Sequence, residues 1–262
     1  MNKNIELDKF YTPKETVNKC LGIFFNMVDK EDITEIIEPS AGNGRFSLQL
    51  PNCIAYDIEP EHESIIKQDF LNLDLPYKKG RAIIGNPPFG KRNNLSLKFF
   101  KKSINSCDFI AFILPISQLN NIDSLYEFDL ISSHDLGELT YSGLVVRCCF
   151  NVYERPREGL NKKVNLKSEL FSLHRTNRDN FENTKPDFMF CKRGSVGKEI
   201  FEDGKRYGDE YKVVVYDKAN LEYVRNTILN HDWKNFKIHQ SSPNISKNDI
   251  YRLFTSKRGK KK

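Results

Sequence analysis

The sequence predicts an α/β protein whose main domain is an open, mostly parallel sheet, followed by a small α+β module at the C-terminus. Short apolar runs suited to buried strands alternate with helical patterns over the first 155 residues, the order typical of α/β domains. Two of these runs end in turns rich in Gly, Asn or Pro. Because open parallel sheets bind ligands at the carboxyl ends of their strands, these turns are the first candidates for a site.

Composition indicates a soluble protein with one main core and a small second one. Of the 262 residues, 39% are hydrophobic and 29% are charged, and no apolar run approaches the roughly 20 residues of a membrane span. The first four residues contain no apolar signal core. We therefore expect an intracellular protein, cytoplasmic or, in a eukaryotic host, nuclear or in a viral factory. The six cysteines form no Cys-x-x-Cys pair, which favours reduced core residues and no metal site.

The net charge of +6 is unevenly distributed along the chain. Residues 1–150 carry 16 Lys and Arg against 20 Asp and Glu, whereas residues 151–262 carry 25 against 15. Half of the basic excess lies in the last six residues, where a solvated tail is the alternative explanation. A basic module after an acidic half suits a polyanionic substrate such as nucleic acid.

The first predicted helix runs from Lys14 to about Asp29, where apolar residues recur at helical spacing. Thr12 suits the N-cap and Pro13 the first helical position. Residues 11–13 are therefore interpreted first as a helix start.

A strand at residues 33–37 leads into the turn Glu38-Pro39-Ser40-Ala41-Gly42-Asn43-Gly44, and a helix is expected directly after it. Gly42 and Gly44 permit positive φ and a close approach of the backbone to a nucleotide, and the expected helix would offer free N–H groups. The next strand, residues 53–58, carries Asp57 near its end. A dinucleotide-binding loop would have a third glycine where Phe46 and Ser47 stand.

The fourth strand, residues 82–85, ends in the most distinctive turn of the chain, Asn86-Pro87-Pro88-Phe89-Gly90. Two prolines fix two φ angles and remove two backbone donors, so we expect the carbonyls of Asn86 and Pro87 to be free to accept. The Asn86 amide oxygen, the Pro87 carbonyl and the Phe89 ring match the two N–H donors and the π face of an aromatic amine. A turn in which Asn86 only caps the strand is the structural alternative.

Three further elements are predicted in the first half. Lys91 and Arg92 begin a basic loop beside the turn, which either holds phosphates or is simply solvated. Residues 95–104 predict a helix and residues 109–115 a buried parallel strand. Residues 137–141 and 144–153 predict a hairpin.

The Asn-Pro-Pro-Phe turn resembles the catalytic motif of class I S-adenosylmethionine-dependent amino-methyltransferases, above all the N6-adenine DNA methyltransferases. The resemblance extends over residues 1–150, with Tyr-Thr-Pro preceding the Gly-rich turn as in the gamma arrangement. It implies a Rossmann-like methyltransferase fold, with a mostly parallel seven-stranded sheet and a reversed last strand. It also implies S-adenosyl-L-methionine as cofactor, no metal, and direct methyl transfer to N6 of an adenine flipped out of double-stranded DNA.

The same resemblance assigns roles to individual residues. The catalytic set is Asn86, Pro87, Pro88 and Phe89, with Phe89 stacked on the target base. The cofactor-binding set, which Asn86 also joins, is Tyr11, Thr12, Pro13, Glu38, Ser40, Ala41, Gly42, Gly44, Asp57, Ile58, Asp69 and Phe70. In that set Asp57 is expected to hold the ribose hydroxyls and Asp69 the amino group of the cofactor's adenine.

Other substrates are compatible with the same turn. RNA N6-adenine methyltransferases also carry Asn-Pro-Pro-Phe-Gly followed by Lys, Arg and Asn, and protein glutamine methyltransferases use the turn on an amide. The Glu-Pro-Ser-Ala-Gly sequence and the basic C-terminal module favour DNA. Cytosine amino-methyltransferases usually carry Ser at the position of Asn86. The intact Gly42, Gly44 and Asp57 argue against a nucleic-acid-binding relative that has lost catalysis.

We therefore predict a catalytic domain over residues 1–155, a linker or mobile loop over residues 156–187, and a small basic module over residues 188–262. Strands are expected from Phe188 and over residues 211–216, and a helix over residues 221–229. The expected module core is Trp233, Phe236, Ile238, Ile245, Ile250, Tyr251, Leu253 and Phe254. Candidate contacts to nucleic acid are Lys91, Arg92, Lys192, Arg193 and Lys198.

Overall fold

The computed structural model describes residues 11–141, 144–175, 185–193, 195–201, 209–233 and 245–255. The chain divides into two compact units, residues 1–163 and residues 164–262. Each unit has its own sheet and its own buried core. Phe236, Ile238 and the basic tail lie outside the described residues, as does the side chain of Arg92.

The sheet of the first unit has seven strands in the order β3-β2-β1-β4-β5-β7-β6. The strands are β1 (Glu35–Glu38), β2 (Cys53–Asp57), β3 (Ile66–Lys67), β4 (Arg81–Gly85), β5 (Phe109–Pro115), β6 (Asp129–Tyr141) and β7 (Leu144–Glu154). Strands β1 to β5 pair in parallel, and β7 is antiparallel to both β5 and β6. A reversed β7 between β5 and β6 is the arrangement of the Rossmann-like methyltransferase fold, so the predicted fold class is confirmed.

The described residues of the first unit include two helices, α1 (Lys14–Met27) and α2 (Asn94–Ser103). The buried face of α1 joins a core cluster with strand residues such as Ile84 and Ala111. All five residues of β4 are buried, as expected of a parallel strand covered on both faces. Among the described residues, none of the helices is long and apolar enough to cross a bilayer.

The helix predicted after the Gly-rich turn is absent, so that prediction is wrong. Ser47–Gln49 form a single 3₁₀ turn instead. Only residues 45–52 separate Gly44 from β2, and Pro51 and a left-handed Asn52 (φ 54°) end the segment. The segment is too short for an α-helix together with its connection to β2, and no helix N-terminus faces a ligand here.

The second unit contains a four-stranded antiparallel sheet in the order β10-β9-β11-β8, and two helices lie within its described ranges. Its elements are β8 (Phe171–Arg175), β9 (Phe188–Cys191), β10 (Glu199–Ile200), β11 (Glu210–Val215), α3 (Leu221–Leu229) and α4 (Lys247–Thr255). Phe190, Val213, Trp233 and Ile250 are buried in its core.

Strand β8 lies inside residues 156–187, which we predicted to be a linker or mobile loop. Phe171 and Leu173 are buried, whereas Ser172 and His174, which alternate with them, are only half-buried. The strand pairs along its length with β11. A five-residue strand within a long polar stretch gives too short an alternation to stand out in the sequence. The linker assignment is therefore wrong for β8, and the second unit begins at Val164.

Candidate active site

A cavity of about 540 Å³ lies where the carboxyl ends of β1, β2 and β4 meet. The lining residues that the sequence analysis had named are Tyr11, Thr12, Glu38, Ser40, Ala41, Gly42, Asp57, Ile58, Asp69, Phe70, Asn86, Pro88 and Lys91. The structure thus brings most of the predicted site residues around one space. Pro13, Gly44, Pro87 and Phe89 do not line it.

Asp57, at the end of β2, holds the Gly-rich turn in place. Its Oδ2 accepts a hydrogen bond from the Gly42 N–H (2.7 Å), and its Oδ1 accepts one from the Glu59 N–H (2.8 Å). Gly42 and Gly44 have φ values of 54° and 79°, a region that favours glycine. The turn is therefore fixed to β2 through a side chain. Each oxygen of a carboxylate has two lone pairs, so Asp57 retains capacity to accept from ligand hydroxyls.

Glu38, at the end of β1, is a buried carboxyl group with 2% of its surface exposed. Its Oε2 accepts a hydrogen bond from the Ser47 N–H (2.8 Å). Burial raises the pKa of Glu38 to about 8, and the Ser47 hydrogen bonds oppose this rise while the charge of Asp57 adds to it. Gly85 makes room for the group, because a Cβ there would lie 3.3 Å from Glu38 Cγ.

Tyr11 covers the cavity beside the Gly-rich turn. Its hydroxyl donates to the carboxylate of Glu61, and the Glu61 N–H donates to the carbonyl of Gly42 (2.9 Å). The Tyr11 ring lies 3.6 Å from the position that a Cβ on Gly42 would take. Burial and the neighbouring Glu61 raise the pKa of Tyr11 to about 12, so the phenol stays protonated and keeps donating at neutral pH.

Asp69 and Phe70 form the wall that follows β3. Asp69 accepts hydrogen bonds from the Leu71 N–H (2.9 Å) and from Asn72 Nδ2 (2.6 Å). The Phe70 ring stacks on Phe99, with centroids 5.6 Å apart and an interplanar angle of 16°. Together they give the cavity one acidic and one aromatic surface.

The sequence analysis did not assign several of the cavity residues to the site. They are Pro39, Asn43, Arg45, Phe46, Leu71, Gly90, Leu95 and Phe99. The first four stand in or directly after the Gly-rich turn. Their position beside a predicted binding turn could have identified them as cavity residues. Leu95 and Phe99 lie on the predicted α2, and only the packing of that helix brings them to the cavity.

Asn86, directly after β4, is anchored at both its side chain and its backbone. Its Nδ2 donates to Thr12 Oγ1 (3.1 Å), and its main-chain carbonyl accepts from Ser40 Oγ (3.3 Å). The prediction that this carbonyl stays free is therefore wrong, because Ser40 reaches it from the Gly-rich turn. The two contacts tie the Asn-Pro-Pro turn to two other segments of the cavity wall, the one before α1 and the one after β1.

Phe89 is 7% exposed and belongs to the core cluster that also contains Ile84 and Phe24. The expected stacking position on a target base inside the cavity is therefore not the one that the structure shows. The two prolines and a Gly90 with φ of 67° turn the chain here. The ring packs in that core cluster, where burial of its apolar area is favourable.

The five basic residues proposed to contact nucleic acid differ in exposure. Lys91 is exposed and lines the cavity, and Arg193 and Lys198 are exposed on the second unit. Lys192 is buried, its ammonium lies 3.5 Å from Asp209, and burial lowers its pKa. The prediction of Lys192 as a surface contact is therefore wrong.

The sequence matches no protein-family model and no curated protein. Solved structures similar to the chain include a candidate RNA methyltransferase from Pyrococcus horikoshii, with 13% identity over 58% of this chain and 88% of that one and a TM-score of 0.45. A candidate class I S-adenosylmethionine-dependent methyltransferase from Listeria monocytogenes has 12% identity over 59% and 63% of the two chains, with a TM-score of 0.45. The 23S rRNA methyltransferase ErmE has 13% identity over 59% and 72%, with a TM-score of 0.42. The fold assignment rests on the strand order, not on these similarities.

No cluster of three or more His, Cys, Asp or Glu side chains suited to a metal ion occurs among the residues that the structure describes. Glu38, Asp57 and Asp69 instead direct their carboxylates at backbone or side-chain N–H groups. These acidic groups organise the cavity walls.

We expect the Glu38→Gln variant to reveal the raised pKa of Glu38 in the ligand-free protein. The native carboxyl keeps its proton up to about pH 8, whereas the unfolded one loses it near its ordinary value of 4.5. Between these values the wild-type protein should lose unfolding free energy as pH rises, by at most about 1.4 kcal/mol per pH unit. The variant, whose amide still accepts from the Ser47 N–H, should lack this component. Urea unfolding at several pH values between about 5 and 8 measures it.

The variant should therefore gain stability relative to wild type as pH rises. Glu63→Gln, at an exposed position, is the matched control for removing a carboxyl group. A stability difference between Glu38→Gln and wild type that stays constant over this range would contradict the assignment.

Proposed function

We propose that the protein is an S-adenosylmethionine-dependent methyltransferase that methylates the N6 amino group of adenine in DNA. The observation that carries the proposal is the meeting of Asn86 with Gly42, Asp57 and Phe70 around one cavity at the carboxyl ends of the strands. An acceptor suited to an amino group thus lies beside a turn suited to a nucleotide.

The cavity walls fit the cofactor. Its volume of about 540 Å³ falls within the usual size of small-molecule sites, about 300 to 1,000 Å³. Asp57 suits ribose hydroxyls, Asp69 an exocyclic amino group, and Ile58 and Phe70 the faces of a purine ring. The Glu38 carboxyl is protonated up to about pH 8 in the ligand-free protein because burial raises its pKa, and the cationic end of the ligand beside it would favour loss of that proton. When bound, S-adenosylmethionine supplies a methyl group already activated on a positively charged sulfur.

Asn86 would orient the target amino group. It lines the cavity, and its amide oxygen would accept one N–H of that group. The Pro87 carbonyl, expected to accept the other, does not line the cavity, so Asn86 is the residue that would aim the nitrogen lone pair at the methyl group. The methylated nitrogen would then lose one proton to water. Phe89, packed in the core, supports this turn from behind.

The charge distribution favours nucleic acid over a small amine as the substrate. Lys91 is exposed at the cavity, and the second unit presents Arg193 and Lys198 to solvent. We assign the second unit to gripping the phosphate backbone, so that the base enters the cavity of the first.

One assay tests the substrate class. The purified protein is incubated with methyl-labelled cofactor and, separately, with duplex DNA, single-stranded RNA or total protein. We expect label in DNA that digests to N6-methyldeoxyadenosine. Label confined to RNA would move the target to RNA adenine, and label confined to protein would move it to a glutamine amide.

The Ile58→Glu variant tests the position of the cofactor. Ile58 lines the cavity yet is 49% exposed, so the change should leave the fold intact. We expect the affinity for S-adenosylmethionine, measured by calorimetry, to fall about tenfold through the lost apolar contact. Ile122→Glu is a matched control, because Ile122 is 50% exposed and does not line the cavity. Equal affinity in the two variants would place the cofactor elsewhere.

The Asn86→Ala variant tests the chemistry separately from binding. Loss of an oriented acceptor at the reacting nitrogen should lower turnover about 100-fold or more. The affinity for the cofactor should change little. Asn105→Ala, which removes an exposed hydrogen bond to the Lys101 carbonyl, is the control. A variant that keeps most of its turnover would show that Asn86 is only a structural cap.

Neutralising Arg193 and Lys198 to Gln tests the role of the second unit. If both contact phosphates, the slope of log affinity for DNA against log salt should flatten by about two, roughly one per contact. Cofactor affinity should stay unchanged. The control removes two exposed charges from the first unit, Lys162 and Lys163. An unchanged slope in the first variant would remove these two residues from the DNA interface.

A further inference from the structure

Glu38 lies at the end of the central strand of the three that meet at the cavity. Strand β1 pairs in parallel with β2 on one side and with β4 on the other. Asp57 ends β2 and Asn86 directly follows β4, and all three residues line the cavity. The strand order therefore places Glu38 between the residue proposed for the ribose hydroxyls and the residue proposed for the target amino group.

This position determines which part of the cofactor passes over Glu38. In S-adenosylmethionine a single sulfur atom joins the ribose to the methyl group that is transferred. With the ribose at Asp57 and the methyl group directed at Asn86, that sulfur crosses the end of β1. The Glu38 carboxyl group extends beside Gly85, where a Cβ would lie 3.8 Å from Oε1, and Gly85 directly precedes Asn86. The carboxyl group is therefore close to the path of the positively charged sulfur.

The two carboxyl groups at this edge of the sheet differ in their hydrogen bonds. Asp57 accepts one backbone N–H at each oxygen, from Gly42 and from Glu59, and such bonds favour the charged form. Glu38 accepts the Ser47 N–H at Oε2 and is 2% exposed. Because two like charges in one enclosed space repel, the more deeply buried group keeps its proton. Burial accordingly raises the pKa of Glu38 to about 8.

The other titratable groups near Glu38 do not take over this role. Cys53 on β2 and Tyr11 beside the Gly-rich turn each have a pKa raised to about 12, chiefly by burial, so both stay neutral at physiological pH. The other charged residues that line the cavity are Asp57, Arg45, Asp69 and Lys91. Their charges act on Glu38 whichever ligand is bound, so they do not distinguish one ligand from another.

We propose that Glu38 distinguishes S-adenosylmethionine from its demethylated product, S-adenosylhomocysteine, by releasing a proton when the positively charged sulfur occupies the cavity. The O–H bond of the carboxyl group breaks, its electron pair stays on the carboxylate, and the proton goes to solvent. With the product bound, the sulfur is a neutral thioether and the carboxylate takes a proton back from solvent. The inference rests on the proposed cofactor and is independent of which nucleic acid is methylated.

Coulomb's law gives the expected size of the effect. A unit positive charge about 6 Å from the carboxylate, at an effective dielectric constant of about 20, favours the charged form by about 100-fold. A group with a pKa of about 8 is then mostly ionised at pH 7. Because binding releases a proton, the affinity for S-adenosylmethionine should rise with pH below about 8, by at most about tenfold per pH unit.

Calorimetry counts the released protons. Each ligand is titrated into the protein at pH 7 in phosphate and in Tris, two buffers that differ in their enthalpy of ionisation. We expect wild type to release about 0.8 proton with S-adenosylmethionine and less than about half of that with S-adenosylhomocysteine. Between pH 6 and pH 7.5, the affinity for the first ligand relative to the second should rise about tenfold.

Two variants are the controls. Glu38→Gln keeps an acceptor for the Ser47 N–H and removes the titrating group, so it also measures the contribution of the ligands' own amino group, which titrates near pH 8. In this variant the two ligands should release equal numbers of protons, and the affinity ratio should not change with pH. Glu63→Gln removes an exposed carboxyl group that does not line the cavity and should behave as wild type.

Two results would overturn the inference. The first is equal proton release with both ligands in wild type, and the second is a difference between the ligands that persists in Glu38→Gln. Failure of wild type to bind either ligand would refute the proposed cofactor and the inference with it. Methylation of RNA or protein in place of DNA would change the proposed substrate and leave the inference standing.

A second measurement observes the carboxyl group itself and does not require the variant to bind ligand. The carbon-13 signal of Glu38 Cδ, assigned by its absence in Glu38→Gln, is followed by NMR in wild type at pH 7. It should have the chemical shift of a protonated carboxyl group in the ligand-free protein and that of a carboxylate with S-adenosylmethionine bound. With S-adenosylhomocysteine it should return most of the way. A chemical shift that is the same with both ligands would contradict the proposed role of Glu38.

Discussion

The cavity depends on two carboxyl groups at the ends of adjacent parallel strands. The connection from β1 to β2 contains only residues 39–52 and no α-helix, so its backbone N–H groups need acceptors from elsewhere. Glu38 accepts from Ser47, and Asp57 accepts from Gly42 and from the residue two positions after itself. The turn is thus held by side chains of the sheet. A ligand meets a preorganised wall, which reduces the entropy lost on binding.

Much of the first unit could be predicted from the sequence because its signals are local and agree with one another. Strand β5 has the predicted bounds, Phe109–Pro115, since seven apolar residues before a 3₁₀ turn fit a buried parallel strand and little else. Helix α1 begins at the predicted Lys14, but Pro13 takes the N-cap position predicted for Thr12, and no side chain caps the helix. The mostly parallel, seven-stranded sheet with a reversed last strand was implied by the resemblance of the motifs. The pairing of β1 with both β2 and β4 has no local signal in the sequence.

The predictions that were wrong each depended on information that is not local. The helix after the Gly-rich turn was excluded by the distance to β2, which became known only with the sheet register. Phe89 was assigned to a target base by motif, but its ring packs in the core. Lys192 was assigned to contact nucleic acid, although it is buried, with its ammonium beside Asp209 and over the Tyr211 ring. In each case the residue type was correctly noted, and the tertiary surroundings determined what it does.

An amide is the acceptor that suits a cavity already lined by Glu38, Asp57 and Asp69. A carboxylate at the position of Asn86 would add negative charge to a partly enclosed space, and burial and like charge would raise its pKa, as they do for Glu38. A neutral amide accepts a hydrogen bond at every physiological pH. The acidic strand ends thus explain why an uncharged side chain, held at its Nδ2 by the Thr12 hydroxyl, suits the end of β4.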